Sequence, residues 1–338
     1  MMIKIIAEIA QGYEGHFRQA QILLDASIKA GADAVKFQLV YADEFCTPDY
    51  KYSKLFKSLE MKNEHWESLV KTAHDQGREL HFDIFGEKSL QMADKIKADA
   101  VKVHGTDMGN IKLLESVSLS KIKNIYLGVG GGYSVEIENA VKILNGKNIF
   151  IIIGFQGYPT KESDNQIDRI KVLKKEYSSN PNIQFGFADH ANTESQLAYA
   201  IPAVAIGAGV TVLEKHLSLG RTLELEDYES ALAPDQFKQF VNTIRICGQA
   251  LGKSTAAPDF GMSEAERQYR NNTRKHVVAS QPIRKGARVS PAEIGLKRTS
   301  AKDAMTDPQD VCGRILTKDI AANKPFNCHF FTDNNDEA

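Results

Sequence analysis

Short apolar runs of strand length recur from Ile3 to His216, and seven of them end in polar or ionisable residues: Glu8, Lys36 with Gln38, Asp83, Lys102 with His104, Gln156, Asp189 with His190, and Glu214 with His216. Eight such runs, at residues 3–9, 34–39, 79–85, 100–103, 125–128, 149–154, 183–187 and 210–213, alternate with helical patterns at 18–30, 63–76, 89–96, 134–144, 164–177 and 194–206. Strand alternating with helix is the mark of βα units. A closed parallel (β/α)8 TIM barrel is the α/β architecture that gathers the C-terminal ends of distant strands around one mouth, so residues far apart in sequence can act together there. The chain is therefore read as an enzyme. Gly31 and Gly77 stand where the chain must leave a helix and turn into the next strand. Asn192 or Thr193, just before Glu194, is a candidate cap for the helix that follows.

At 338 residues the chain exceeds a barrel of roughly 250 and leaves room for a second module. With 42 basic and 43 acidic residues the formal charge is -1, which provides no electrostatic footprint for nucleic acid or an anionic membrane. Small molecules, or another subunit, are the expected partners. Cys46, Cys247, Cys312 and Cys328 lack CxxC spacing and read as reduced thiols. The N-terminal apolar run meets Glu8 before a signal-length segment is complete, and no stretch approaches the roughly 20 apolar residues of a membrane span. A cytoplasmic protein is expected.

After Gly252 the pattern changes to KSTAAPDFGMSEAERQYRNNTRK, which is charged and lacks strand-helix alternation. The expected organisation is a barrel over 1–252, a linker over 253–275, a small, mostly β module over 276–332 and a frayed tail over 333–338. A module of about 55 residues has little core of its own, so it is expected to pack on another surface.

Single residues within the runs narrow the chemistry. His190 and His216, at two strand ends of one barrel, are candidate metal ligands. Lys36 and Lys102 lie among Val35, Phe37, Val101 and Val103, where an ammonium without a partner is costly, so both are expected to have functional roles. Glu8 follows an apolar run and is read as catalytic or substrate-binding by the same argument. His104 shares a strand face with Lys102 and is read as a polar filler, with a third ligand or proton donor as the alternative.

The run AEIAQGYEG, then AGADAVKFQ, Val101-Lys102-Val103, Gly157-Tyr158-Pro159-Thr160, Gly186-Phe187-Ala188-Asp189-His190 and Val212-Leu213-Glu214-Lys215-His216 resemble, in order and spacing, the sialic acid synthase family. RKHVVASQPIRKGARVSPAEIGLKR resembles the antifreeze-like (SAF) domain that those synthases carry. The resemblance implies a metal-dependent condensation of phosphoenolpyruvate with an N-acylated amino-sugar aldehyde to a 2-keto-3-deoxy acid. It implies a divalent ion on His190 and His216, with Mn²⁺ expected and Mg²⁺ or Co²⁺ as alternatives. Glu8 would sit near the attacked carbon or its water, and Lys36 and Lys102 would face phosphate and carboxylate. Glu214 and Asp227 would hold sugar hydroxyls or orient the ligands, with Gln38, Gln156, Tyr158 and Asp189 also expected to bind substrate. The resemblance further implies a homodimer in which the SAF domain of one subunit covers the partner's barrel mouth, and Arg298 reaches the acyl-amino group.

The resemblance departs at Asp83, Gly105, Val129 and Ala188, where the family carries small hydroxyl residues around the phosphate. Asp107 is either the shortened replacement for a family glutamate that moves protons or a helix cap. Gly128 and Gly130 to Gly132 offer backbone amides to an anion in place of hydroxyls. The alternatives to the condensation are a pyruvate-dependent aldolase or lyase, with a Schiff base on Lys36 or Lys102, and a non-catalytic sugar-binding protein.

Overall fold

Successive side chains of a β-strand point to opposite faces, so in a closed barrel only every second residue reaches the interior. The computed structural model describes residues 3–154, 157–252 and 258–332. Eight parallel strands close in sequence order: β1 (Lys4–Ala10), β2 (Ala34–Gln38), β3 (Glu79–Ile84), β4 (Ala100–Val103), β5 (Asn124–Gly128), β6 (Asn148–Ile153), β7 (Ile183–Asp189) and β8 (Val212–His216). β8 pairs back onto β1, with Glu8 opposite His216. The helices are α1 (Phe17–Lys29), α2 (Ala42–Phe45), α3 (Ser53–Ser58), α4 (Asn63–Asp75), α5 (Glu87–Lys95), α6 (Ile111–Leu119), α7 (Ser134–Ile143), α8 (Arg169–Tyr177), α9 (Leu197–Ala208) and α10 (Pro234–Ala250). This is the (β/α)8 barrel expected from the alternating pattern.

Two apolar layers follow from the alternation. Outward residues such as Val35, Phe37, Phe82, Val101 and Leu213 pack against the helices, which present buried positions three or four apart, as α1 does with Ala20, Leu23, Leu24 and Ser27. Trp66 of α4 meets Tyr13, Phe37 and Phe82 edge-on at 5.3, 6.0 and 5.5 Å. Inward residues Ile6, Ala34, Ala100, Tyr126, Phe150, Ile152, Ala188 and Val212 form a floor inside the barrel. Two residues beyond five of these floor positions come Glu8, Lys36, Lys102, His190 and Glu214, which the pleat carries to the same interior face. The floor thus sets which polar groups share the mouth.

Gly31 and Gly77 adopt φ of 95° and 66° at the helix exits, where a β-carbon would be strained. Three expectations are corrected. β7 and β8 extend to Asp189 and His216, beyond the apolar runs, because a strand in a barrel keeps its hydrogen bonds when its side chains turn polar at the mouth. Asn192 does not cap α9: its side chain accepts from the Glu194 amide at 3.0 Å in a turn, and the helix begins at Leu197. The segment read as a linker contains α11 (Glu264–Thr273). That helix buries none of its residues and starts at a capping box, with Ser263 Oγ accepting from the Glu266 amide at 3.2 Å and the Glu266 carboxylate accepting from the Ser263 amide at 2.7 Å.

The chain divides into two compact units after Gly252. The second contains β9 (His276–Ala279), antiparallel to β10 (Ile294–Lys297), and a core that includes Val277, Val289, Leu316, Ile320 and Phe326. Among the described residues no helix is long and apolar enough to cross a membrane, and the four cysteines are free.

Candidate active site

β1, β2, β3, β4 and β8 bring a buried charged cluster to the C-terminal end of the barrel. Lys36, with no exposed surface, pairs with Glu8, stands 2.7 Å from Asp83 Oδ1 and 3.6 Å from Glu214 Oε1. Lys102 donates to Glu214 Oε1 at 2.6 Å. Glu8 Oε1 accepts the Ala10 amide at 2.7 Å, which fixes the carboxyl at the strand end. The two lysines expected to face an anion therefore each hold carboxylates of the protein itself. An ammonium in such a site costs several kcal/mol of desolvation unless paired, and these pairs offset it.

Three carboxyl groups surround two ammonium groups, so the cluster is neutral when one carboxyl carries a proton. Burial pushes Glu8 up to about 8, against the pull of Lys36 and with the push of Asp83 and Glu214, making it the proton holder at neutral pH. Burial also raises Glu214, but Lys102 and Lys36 outweigh it and hold that carboxyl well below its usual range. Desolvation disfavours the Lys36 ammonium, yet Asp83, Glu214 and Glu8 reverse this and keep its pKa well above the ordinary lysine value. Lys36 is thus held as an ammonium among three carboxyl groups.

His190 and His216 meet beside this cluster with ring centroids 5.2 Å apart at 54°. Tyr158 sets its ring edge-on to both, at 4.8 and 5.7 Å. The His190 carbonyl accepts from the Ser230 hydroxyl and the Thr160 amide, each at 2.9 Å, so its backbone is held from two loops. Burial, reinforced by His190, pushes the His216 imidazole well below its ordinary value and leaves it the neutral form that a metal requires. Asp227 Oδ2 lies 3.8 Å from His216 Nδ1, and burial, with Glu226 and Glu229, pushes its carboxyl up to about 7. Among the described residues no group of three or more His, Cys, Asp or Glu side chains is arranged to hold a metal. The donor set fits an ion held by two imidazoles, with its remaining positions open to substrate oxygens and water.

A deep cavity of about 30 Å³ is lined by Glu8, Gln38, Asp83, Lys102, Tyr158, His190, Glu214 and His216, which brings eight of the expected or strand-end residues together. Gln38 Oε1 accepts from Gln11 Nε2 at 2.8 Å. Asp107 follows β4 in a 3-10 turn and lines a wider cavity at the mouth, and burial raises its carboxyl. His104 lines both cavities, with Nδ1 2.9 Å from Thr106 Oγ1.

Asp189 is a correction. It has the opposite parity to Ala188 and His190, so it points to the helix side of β7, where its Oδ2 accepts from Lys215 at 2.6 Å. It is held by Lys215 and is not among the residues lining the cavity. Gln156 lies outside the described residues. Arg298 belongs to the second unit, where its Nε donates to the Thr273 carbonyl at 3.1 Å.

The glycines of the hydroxyl-poor quadrant have a packing cause. A β-carbon at Gly105 would stand 2.5 Å from the Gly130 carbonyl oxygen, one at Gly130 would collide with the Gly154 carbonyl, and one at Gly154 would lie 2.8 Å from Ala188 Cβ. The ends of β4 to β7 approach backbone to backbone, leaving no room for a side chain at Gly105, Gly130 or Gly154. Missed entirely was an aromatic wall from Phe45, Tyr52, Phe56 and Phe85 at the mouth. Its signal was the aromatic-rich stretch after β2.

A model of the NeuB family matches residues 23–256, and a model of the SAF domain matches residues 274–327. An uncharacterised protein of Methanocaldococcus jannaschii is 31% identical over 87% of this chain and 84% of its own length. N,N'-diacetyllegionaminic acid synthase of Legionella pneumophila is 24% identical over 94% of this chain and 91% of its own. The solved N-acetylneuraminic acid synthetase of Leptospira borgpetersenii superimposes with a TM-score of 0.72 at 26% identity, covering 80% of this chain and 92% of that one. The chain therefore belongs to the NeuB family, and with its SAF domain it is a carbon–carbon bond-forming synthase of the sialic acid synthase type.

Proposed function

We propose that the chain condenses phosphoenolpyruvate with an N-acyl amino-sugar aldehyde to give a 2-keto-3-deoxy sugar acid. The observation that carries this is the pair His190 and His216 opening onto the same buried cavity as Glu8, Lys102 and Glu214. The names of the similar synthases, for legionaminic and N-acetylneuraminic acid, agree with such a product. The donor's C3 forms a bond to the aldehyde carbon, the aldehyde oxygen takes a proton, water adds to C2, and phosphate leaves as the ketone forms.

His190 and His216 would hold a divalent ion, Mn²⁺ in this reading, with Mg²⁺ or Co²⁺ as substitutes, which when bound supplies Lewis acidity to a substrate oxygen. Glu8, its carboxyl pushed up to about 8 by burial, would give a proton to the aldehyde oxygen and take one from the attacking water. Lys102, which lines the cavity, would bind the donor's acid group by exchanging Glu214 for a substrate carboxylate, and Lys36, buried behind it, would hold Glu8, Asp83 and Glu214 in position. Glu214 and Asp227 orient sugar hydroxyls, and Asp107, at the mouth, serves as a second proton carrier. Arg298 of a second copy closes the mouth over the acyl-amino group in a homodimer, as its SAF domain suggests. The reaction is assigned to the cytoplasm, where phosphoenolpyruvate is made.

A second reading has specific observations behind it. Asp83 on Lys36, the glycine-lined quadrant and the small deep cavity favour a donor without a phosphoryl group, such as pyruvate. The raised pKa of Lys36 argues against a Schiff base at that residue. Incubation with Mn²⁺, N-acyl amino-sugar aldehydes and either donor separates the two. The first reading expects aldehyde-dependent phosphate release matching keto acid formed; no release with any aldehyde, beside an active control synthase, rejects it. Keto acid from pyruvate alone supports the second, and borohydride trapping reports whether a lysine adduct forms.

A further inference from the structure

Below the Lys36 cluster the barrel interior is lined mostly by the apolar floor, yet two inward rings there carry polar atoms: His81 of β3 and Tyr126 of β5, neither with any exposed surface. β4 lies between these strands, and opposite His81 it carries Ala100, whose small methyl lets the two rings approach to 5.1 Å between centroids at 38°. Tyr126 also stacks on Phe150 of β6 at 4.6 Å and 11°.

His81 Nε2 lies 2.7 Å from Glu79 Oε2, and that oxygen also accepts from Lys4 Nζ at 2.5 Å near the N-terminal end of the barrel, where both of the latter side chains are partly exposed. Burial raises the Glu79 carboxyl, but His81 and Lys4 outweigh it and keep it an acceptor. A neutral imidazole has one donor and one acceptor nitrogen, so with Nε2–H given to Glu79 the other nitrogen, Nδ1, must accept. Tyr126 Oη, its pKa pushed up by burial, keeps its proton and donates. Neither His81 Nδ1 nor Tyr126 Oη has a hydrogen-bond partner among the described residues. Buried polar atoms of native proteins are, in the great majority, paired with protein or with ordered water. An acceptor and a donor left on adjacent rings suit one water, which accepts from the phenol and donates to the imidazole.

We propose that His81 Nδ1 and Tyr126 Oη bind a single water inside the barrel, and that through this water His81 is a positioning residue for Tyr126. The water completes a chain of hydrogen bonds from Lys4 through Glu79 and His81 to the Tyr126 hydroxyl. Tyr126 supports Phe150 by stacking, and Ile152, two residues further along the inner face of β6, lines the deep cavity. The floor of that cavity is thereby fixed from the opposite end of the barrel. The water site is independent of which acids or sugars enter from the mouth.

Crystallography of the full-length protein at atomic resolution, with urea denaturation and ring ¹⁵N spectra of the variants, tests this. The wild-type map is expected to hold one solvent peak about 2.7–3.2 Å from both atoms. No peak there, or Oη bonded directly to Nδ1, would overturn the proposal. Tyr126→Phe takes a partner from the water and is expected to lower the folding equilibrium constant at least about fivefold. A hydroxyl that is unpaired in the folded protein gives the opposite sign, so a stabilised Tyr126→Phe also overturns it. Combined with His81→Leu, the loss should fall short of the product of the two single losses by at least about threefold, because removing both partners leaves nothing unpaired; losses that simply multiply would show that the two residues share no water. In the spectra His81 should be the neutral Nε2–H tautomer, with an Nδ1 signal that moves in Tyr126→Phe. A signal that stays in place would take the positioning role from His81.

Discussion

Lys36 illustrates how one residue holds the site together. Its ammonium is the centre on which Glu8, Asp83 and Glu214 converge, and all four side chains are buried. Lys36→Met leaves like-charged carboxyls without a counter-ion and is expected to lower stability by about 3–5 kcal/mol in urea denaturation. Adding Asp83→Leu should recover a good part of that loss; no recovery would mean that the pairing is not what the lysine provides. His81, on the inner face of β3, makes a different prediction. Burial pushes its imidazole below the ordinary 6.5, although the Glu79 carboxylate, 2.7 Å away, opposes this. The unfolded chain therefore binds a proton that the folded one refuses, so stability falls as pH drops below 6.5, by up to about 1.4 kcal/mol per pH unit for one proton. His81→Gln should flatten the slope of stability against pH between about 6.5 and 5. An unchanged slope would show that His81 is protonated in the folded protein.

The eight strands were legible as elements because their lower halves are apolar, and for the same reason their upper ends were not. Apolar runs stop where the mouth begins, so β7 and β8 read shorter than they are, by the stretches that carry Asp189 and His216. Residue type at a strand end was also ambiguous about direction. His190 and Asp189 are neighbours of equal polarity, and only the parity set by Ala188 on the floor separates the cavity residue from the helix-side one. Lys215→Met tests that parity: it strands Asp189 between barrel and helices and should cost about 3–5 kcal/mol of stability while leaving ligand affinity within about twofold. A large loss of ligand affinity with intact stability would place Asp189 back in the site. α11 escaped notice because a helix with no buried face has no apolar period to read. Lys36 and Lys102 were legible as partnered, whereas their partners Asp83 and Glu214 lie on other strands, and a register between strands is not written in either one.

For the whole molecule, the alternating pattern led to the barrel and the change of composition after Gly252 led to a second module, expected to have little core, for which the structure shows a cluster of its own around Val277, Leu316 and Phe326. What composition did not convey is whether that module acts on its own chain's barrel or on another's. In the proposed homodimer it closes the mouth in trans, so a chain ending at Gly252 should fold, keep its metal affinity within about twofold and lose at least about tenfold in acceptor KM or turnover. Light scattering and kinetics on that truncation decide it. A truncated chain that remains dimeric and fully active would remove the cap from the account. Everything chemical in the account depends on the two imidazoles of β7 and β8 acting as one ligand pair. The most direct measurement is Mn²⁺ titration followed by electron paramagnetic resonance on the wild-type, His190→Ala and His216→Ala proteins, with circular dichroism to confirm folding. One ion per chain is expected for the wild type, with affinity reduced at least about a hundredfold in either variant. Folded variants that bind Mn²⁺ as the wild type does would contradict it.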